Sequence, residues 1–114
     1  MRISGREIRI LTLEDGKCPF EKWYDSITDI KTSAVIEASI TRMESGKLSG
    51  CKPVGQGVSE LAIDFGPGYR IYFAEAGRVI VVLLCGGDKS SQIKDIKKAQ
   101  DLWEKYSDDA ERFQ

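Results

Sequence analysis

The chain has 114 residues, which fits one domain that buries about two thirds of the surface of the unfolded chain. It is 41% hydrophobic and 31% charged, and no apolar run approaches the ~18 residues of a membrane span, so composition argues against disorder and against a transmembrane role. Charges interrupt every apolar stretch near the N-terminus, unlike the continuous apolar segment of a secretory signal. We therefore predict a single soluble domain over residues 1–114, located in the cytoplasm.

The counts of histidine and cysteine restrict the chemistry further. Histidine is absent, which excludes Ser-His-Asp and Cys-His nucleophiles, His-Glu-x-x-His zinc sites and imidazole bases. Cys18, Cys51 and Cys85 are far apart and form no Cys-x-x-Cys, which argues against a disulfide framework and a zinc ribbon. We expect no metal and no cofactor, so any catalysis must use lysine, arginine, tyrosine or carboxylates.

The first half of the chain predicts one strand followed by two helices. Alternation over residues 7–13 favours a strand. Pro19 suits the first turn of a helix, and Asp29 can cap a second helix that stops at Gly46. The apolar stripes of the two helices are Phe20, Trp23, Tyr24 and Ile27 in the first, and Ile36, Ile40 and Met43 in the second.

After a glycine-rich stretch, residues 46–57, which we interpret as a loop, the pattern predicts a hairpin. Strands over residues 58–65 and 69–75 flank the reversal Gly66-Pro67-Gly68. Pairing of Phe65 with Tyr69 would place Asp64 opposite Arg70 and Ala62 opposite Tyr72. The hairpin would thus give Arg70 a cross-strand carboxylate.

A second reversal, residues 76–78, leads into a strand that is apolar on both faces and is predicted to be central in the sheet. Gly86 and Gly87 would end it, and a helix capped by Ser90 or Ser91 would follow, its apolar stripe formed by Ile93, Ile96, Ala99, Trp103 and Tyr106. The order β-α-α-β-β-β-α predicts an α+β domain with a mainly antiparallel sheet and the helices on one side of it.

Two basic residues are the first candidates for a functional site. Arg70 projects from the middle of a strand, where a guanidinium can bind a phosphate with two hydrogen bonds, although an ion pair with Asp64 is the more frequent use of such a residue. Lys89 stands between the glycine pair and a helix start, where backbone N–H groups could face an anion. The surrounding GGDKSS lacks the GxxxxGK(S/T) spacing of a nucleotide-binding loop.

Other residues nearby have two interpretations each. Glu60 and Asp88 can act as bases or serve as helix caps and solvated charges. Tyr72 shares the face of Arg70, where a base could stack on its ring. Residues 89–98 carry four lysines against Asp95, and residues 101–114 carry five acids against two basic residues, a pattern typical of polyanion binding or of a solvated helix face.

Two stretches, ELAIDFGPGYRIYF and VVLLCGGDKSSQIKDIKKAQDLW, closely resemble the addiction-module killer proteins of the RelE/ParE toxin superfamily, which includes HigB-like toxins. The resemblance covers about residues 60–103. It implies a small α+β toxin that a cognate antitoxin, expected to be a helix-turn-helix protein, binds and silences. For the RelE-like branch it also implies metal-independent cleavage of mRNA on the ribosome; for the ParE-like branch it implies inhibition of DNA gyrase without catalysis. A decayed toxin that only binds its antitoxin is a third reading.

The resemblance also implies roles for individual residues. Arg70 matches an arginine assigned to phosphate stabilisation, and Lys89 falls near a second basic position. RelE-like nucleases carry outward lysines where this chain has Glu60 and Ala62, so Glu60 would be the base if any residue is. The remaining RNA contacts would come from Tyr72 and from the lysines Lys47, Lys52 and Lys94.

Overall fold

The computed structural model describes residues 5–48, 50–77 and 79–109. Within them five strands form one sheet in the order β1-β5-β4-β3-β2, antiparallel except for the parallel pair β1 and β5. The elements are β1 (Glu7–Ile10), α1 (Pro19–Asp25), α2 (Ile30–Glu44), β2 (Cys51–Gly55), β3 (Val58–Ile63), β4 (Tyr69–Ala76), β5 (Ile80–Asp88), a 3₁₀ turn (Lys89–Ser91) and α3 (Gln92–Tyr106). The predicted α+β class with a mainly antiparallel sheet is confirmed. Arg78 and the end of the acidic stretch, residues 110–114, lie outside the described residues.

The helices cover both faces of the sheet, so the prediction that they pack on one side is wrong. One apolar cluster lies between the sheet and α3 and includes Tyr72, Leu84 and Ala99. A second cluster lies on the opposite face under α1 and α2 and includes Phe20 and Ile36. The reason is that β4 and β5 carry apolar side chains on both faces, and a helix must pack on each face to remove those side chains from water.

Both α1 and α2 begin where the sequence predicts and α2 ends where predicted, whereas α1 ends at Asp25, before Ile27 of its predicted stripe. Pro19 occupies the first turn of α1, where its missing N–H costs nothing. The Asp29 carboxylate accepts a hydrogen bond from the Thr32 N–H at 3.0 Å and caps α2. Gly46 follows α2 with a φ of 88°, the left-handed conformation that glycine adopts without strain.

The stretch 46–57 is only partly a loop, because Cys51–Gly55 forms the edge strand β2. Lys52 pairs with Glu60 of β3, and Pro53 is tolerated because the strand has one unpaired edge. The strand was not predicted because glycine and proline give this stretch a low β-propensity. It forms because it pairs with β3.

The β3–β4 hairpin is shifted by two residues from the predicted register. Ile63, not Phe65, pairs with Tyr69, and Ala62 lies opposite Arg70. The Gly68 N–H donates to the Phe65 carbonyl at 3.0 Å, so Phe65 belongs to the turn. Because the register is shifted by an even number of residues, every side chain keeps its predicted face of the sheet. The shift nevertheless removes Asp64 from its predicted place opposite Arg70.

The apolar strand β5 is paired on both sides, as its composition predicts, although β4 holds the central place in the sheet. It runs through Gly86 and Gly87 to Asp88, so the glycines do not end it. Tyr72 pairs with Cys85 and Phe73 with Leu83, which leaves Leu84 as the extra residue of a β-bulge.

Helix α3 packs on the sheet through Ile96, Ala99, Trp103 and Tyr106, as predicted. The predicted stripe also includes Ile93, and that part of the prediction is wrong because Ile93 is 88% exposed. Within the described residues, none of the helices combines the length and apolar character needed to cross a bilayer.

Candidate functional site

Arg70 and Lys89 both lie next to Gly68, in the turn between β3 and β4. A Cβ built on Gly68 would lie 3.5 Å from Arg70 Nη1 and 3.7 Å from Lys89 Cβ. Gly68 has a φ of 85°, so a glycine both forms the turn and leaves room between the two basic side chains. The fold therefore brings together the two basic residues that the sequence singled out separately.

The Arg70 side chain is 15% exposed and contacts Glu60 and the Tyr69 carbonyl. Its Nε lies 3.6 Å from Glu60 Oε1, and Nη1 donates to the Tyr69 carbonyl at 3.4 Å. Nε is buried and has no hydrogen-bond partner among the described residues. The guanidinium is thus fixed by the charge of Glu60 while part of the side chain remains accessible. The sequence predicted an ion pair for Arg70 but the wrong partner, because Asp64 lies beyond the end of β3.

Glu60 is buried between Arg70 and Gln92, and these three residues are called the Arg70 cluster; the sequence predicted an outward-facing position for Glu60. Its side chain is 1% exposed because α3 lies over this face of the sheet. Gln92 Nε2 donates to Glu60 Oε2 at 2.8 Å, and Lys52 Nζ lies 3.9 Å from Oε1. Gln92 was not recognised from the sequence, since only the docking of α3 brings it within reach of β3.

Tyr72 is fully buried, so the prediction that a base stacks on its ring is wrong. It lies opposite Glu60 in the register and under α3. Burial raises the pKa of the Tyr72 hydroxyl well above its usual range, and the nearby Glu60 carboxylate raises it further. The hydroxyl stays protonated, and it has no hydrogen-bond partner in the described part of the chain.

The glycine pair at the end of β5 serves close packing on both faces of the sheet. A Cβ on Gly87 would lie 1.9 Å from Asp95 Oδ2, and one on Gly86 would lie 2.3 Å from Trp23 Cε3. Ser91 Oγ donates to Asp95 Oδ2 at 2.5 Å, which holds this carboxylate in place. Consecutive glycines in a strand were the available signal, since they mark sites where another group approaches the backbone.

Asp88 is a cap, which is one of the two roles considered for it. Its Oδ1 accepts hydrogen bonds from Ser90 N at 2.9 Å and from Ser90 Oγ at 2.5 Å. These bonds favour the ionised form and lower the pKa of the Asp88 carboxyl. The cap fixes the 3₁₀ turn that carries Lys89 and so fixes the start of the lysine side chain.

Exposed lysines surround the Arg70 cluster. Lys89 and Lys94 line an open surface depression of about 480 Å³ together with Ile93. Lys52, 67% exposed, lies on the neighbouring edge strand. Lys47 is also exposed, but it directly follows α2, whose core residues pack on the opposite face. Gln92 also lines the depression, so the depression adjoins Glu60 and brings Lys89 and Lys94 near it, whereas Lys47 does not belong to this surface.

The described residues contain no group of three or more His, Cys, Asp or Glu side chains placed to hold a metal ion. Glu60 is engaged by Arg70 and Gln92, and Asp95 is engaged by Ser91.

The chain is similar in sequence to a known protein. No protein-family model matches the chain. An uncharacterized protein of Haemophilus influenzae is 44% identical over 81 residues, which span 71% of this chain and 82% of that protein. Identity at this level over most of both chains implies a common fold, and the relative's name adds no activity.

Proposed function

We propose that this chain, which belongs to the same family as the Haemophilus influenzae protein, is the toxin of a type II toxin–antitoxin module that cleaves mRNA on the ribosome in the cytoplasm. The observation that carries the proposal is the position of both Arg70 and Lys89 next to Gly68. The resemblance of residues 60–103 to RelE/ParE toxins supports it, because both basic residues fall in the motifs that carry that resemblance.

The proposed reaction needs alignment and charge stabilisation more than a strong base. The ribose 2′-oxygen attacks the adjacent phosphorus and loses its proton, while the 5′-oxygen of the next nucleotide leaves and gains one. The products are a 2′,3′-cyclic phosphate and a 5′-hydroxyl. Negative charge grows on the phosphate oxygens during this step, and the Arg70 guanidinium and the Lys89 ammonium are suited to stabilise it.

In this mechanism Glu60 positions Arg70 and does not act as a base. A carboxylate that is 1% exposed and already engaged by Arg70 Nε and Gln92 Nε2 is not accessible to a ribose hydroxyl. Its charge instead fixes the guanidinium at the surface. Lys52, Lys89 and Lys94 would then contact phosphates of the mRNA or of ribosomal RNA.

The cognate antitoxin, a protein with a helix-turn-helix domain, completes the proposed module. Masking of the surface around Arg70 and Lys89 is the direct way to silence the toxin, because substrate phosphates would bind there.

Lys89→Ala gives the sharpest test, because Lys89 is exposed and its loss leaves the buried cluster intact. The matched control is Lys31→Ala, an exposed lysine on α2 at the opposite face. Transcript ends are mapped in cells induced briefly for each variant. We expect new ends within translated frames for the wild type and for Lys31→Ala, reduced at least tenfold for Lys89→Ala. Equal cleavage by all three proteins would contradict the assigned site.

A second function is favoured by one observation, namely that the ion pair with Glu60 gives Arg70 a structural role. In that case the protein would be a ParE-like inhibitor of DNA gyrase with no catalytic step. The same induction experiment separates the two, because growth arrest without new transcript ends, accompanied by altered plasmid supercoiling, would support gyrase inhibition. A decayed toxin would produce neither effect.

A further inference from the structure

A groove of about 420 Å³ lies between α1 and α2, on the face of the sheet opposite α3. Its apolar lining comes from Phe20, Tyr24 and Ile40, together with Ile10 from the edge strand β1. Phe20 is buried, and the other three side chains are partly exposed. The groove therefore offers apolar surface that the protein's own core does not fully cover.

The border of the groove is acidic. Glu21 and Asp25 of α1 and Glu37 and Glu44 of α2 line it, and all four are exposed. Of the described residues that line the groove, none is basic. None of the four carboxylates forms an ion pair with another described residue. Four carboxylates that no described cation pairs with, around a largely apolar floor, favour a ligand that is both cationic and apolar.

This charge pattern excludes an RNA surface as the occupant, because phosphates would meet four carboxylates. A second copy of the chain is also disfavoured. Its most cationic helix is α3, which lies on the opposite face, so such a contact would be head-to-tail and would not close a symmetric dimer.

We propose that the groove between α1 and α2 is the docking site for an amphipathic segment of a partner protein, with lysine or arginine beside its apolar side chains. The apolar side chains lie on Phe20, Tyr24 and Ile40, and the cations pair with the carboxylates on both helices. The site is independent of the Arg70 surface, so it is occupied whether or not the chain cleaves mRNA.

The test uses a synthetic helical peptide with leucine on one face and lysine on the other, added to the ¹⁵N-labelled full chain. We expect amide shifts concentrated in α1 and α2 and at Ile10. A peptide with glutamate in place of lysine should cause none. The double variant Glu37→Gln with Glu44→Gln should weaken binding at least fivefold, whereas Asp64→Asn with Glu104→Gln, two exposed carboxylates elsewhere, should not.

Several results would overturn the proposal. Shifts that map to other surfaces, equal weakening by both double variants, or no binding of the lysine peptide would each do so. Sedimentation velocity of the chain alone tests whether a second copy occupies the groove. Self-association that is abolished by Glu37→Gln with Glu44→Gln would assign the groove to a second copy and overturn the proposal. The transcript-end assay depends on Lys89 and not on the groove, so the two proposals fail separately.

Discussion

At the scale of single residues, the pair formed by Glu60 and Arg70 determines how the site can be tested. Both side chains lie mostly out of water, and removing one partner of a buried pair leaves the other charge uncompensated. We expect Glu60→Met to lower the free energy of unfolding by about 3 kcal/mol, and Arg70→Met to do the same. The variant with both Glu60→Met and Arg70→Met should lose much less free energy of unfolding than the sum of the two single losses. Urea denaturation measures all three values.

Lys52→Met provides the control for this cycle. Lys52 Nζ is also near Glu60 Oε1, at 3.9 Å, but the lysine is largely exposed, so its loss should cost less than about 1 kcal/mol. Additive costs for Glu60→Met and Arg70→Met would show that the two side chains do not interact. An Arg70 variant inactive in mRNA cleavage is informative only after this measurement, because unfolding alone would abolish the activity.

Cys85 offers a second prediction for a single side chain. Burial under α3 raises the pKa of the Cys85 thiol to about 12, so almost none of it is thiolate at neutral pH. In a variant with Cys18→Ser and Cys51→Ser, we expect no labelling by a maleimide at pH 7.5 until denaturant unfolds the chain. The Cys85→Ala variant, which keeps the two partly exposed thiols, should be labelled in the folded state. Rapid labelling of Cys85 in the native protein would contradict the packing of α3.

At the scale of elements, the positions of α1 and α3 depend on the two glycines of β5. Gly87→Ala would place a methyl group against Asp95 and push α3 outward, at a cost of about 1–3 kcal/mol. Asp95→Ala in the same chain removes the group that clashes and should recover part of the loss. Gly86→Ala is the matched control, since its methyl meets Trp23 on the other face and Asp95→Ala should not rescue it. Thermal unfolding of the four variants checks the prediction.

The helices could be predicted from the sequence because their signals are local. A proline, a capping aspartate and a stop glycine lie within or beside α1 and α2. The strand β2 and the register of the β3–β4 hairpin could not, because both depend on partners that the sequence does not specify. For the same reason Arg70 could be recognised as a candidate, whereas Gln92 and the burial of Glu60 follow only from the docking of α3.

At the scale of the whole molecule, a formal net charge of −1 includes two local patches of opposite charge on opposite faces of the sheet. Lys89, in the 3₁₀ turn, and Lys94, in the first turn of α3, line the depression on one face, and four carboxylates of α1 and α2 border the groove on the other. The prediction that all helices pack on one side could not reveal this separation. Because α3 covers one face and α1 and α2 the other, the basic depression and the acidic groove lie on opposite faces of the sheet.

The separation of charge predicts how binding to the ribosome depends on salt. Each lysine that contacts a phosphate releases a counterion, so the logarithm of the affinity should fall linearly with the logarithm of the salt concentration. We expect Lys89→Ala and Lys94→Ala each to reduce this slope by about 0.7–0.9. Glu37→Gln with Glu44→Gln should leave it unchanged, because those charges lie on the other face. Fluorescence anisotropy of the labelled protein with purified ribosomes measures the slopes. A slope that changes for the groove variant and not for the lysine variants would place the ribosome on the acidic face and reverse the assignment of the two surfaces.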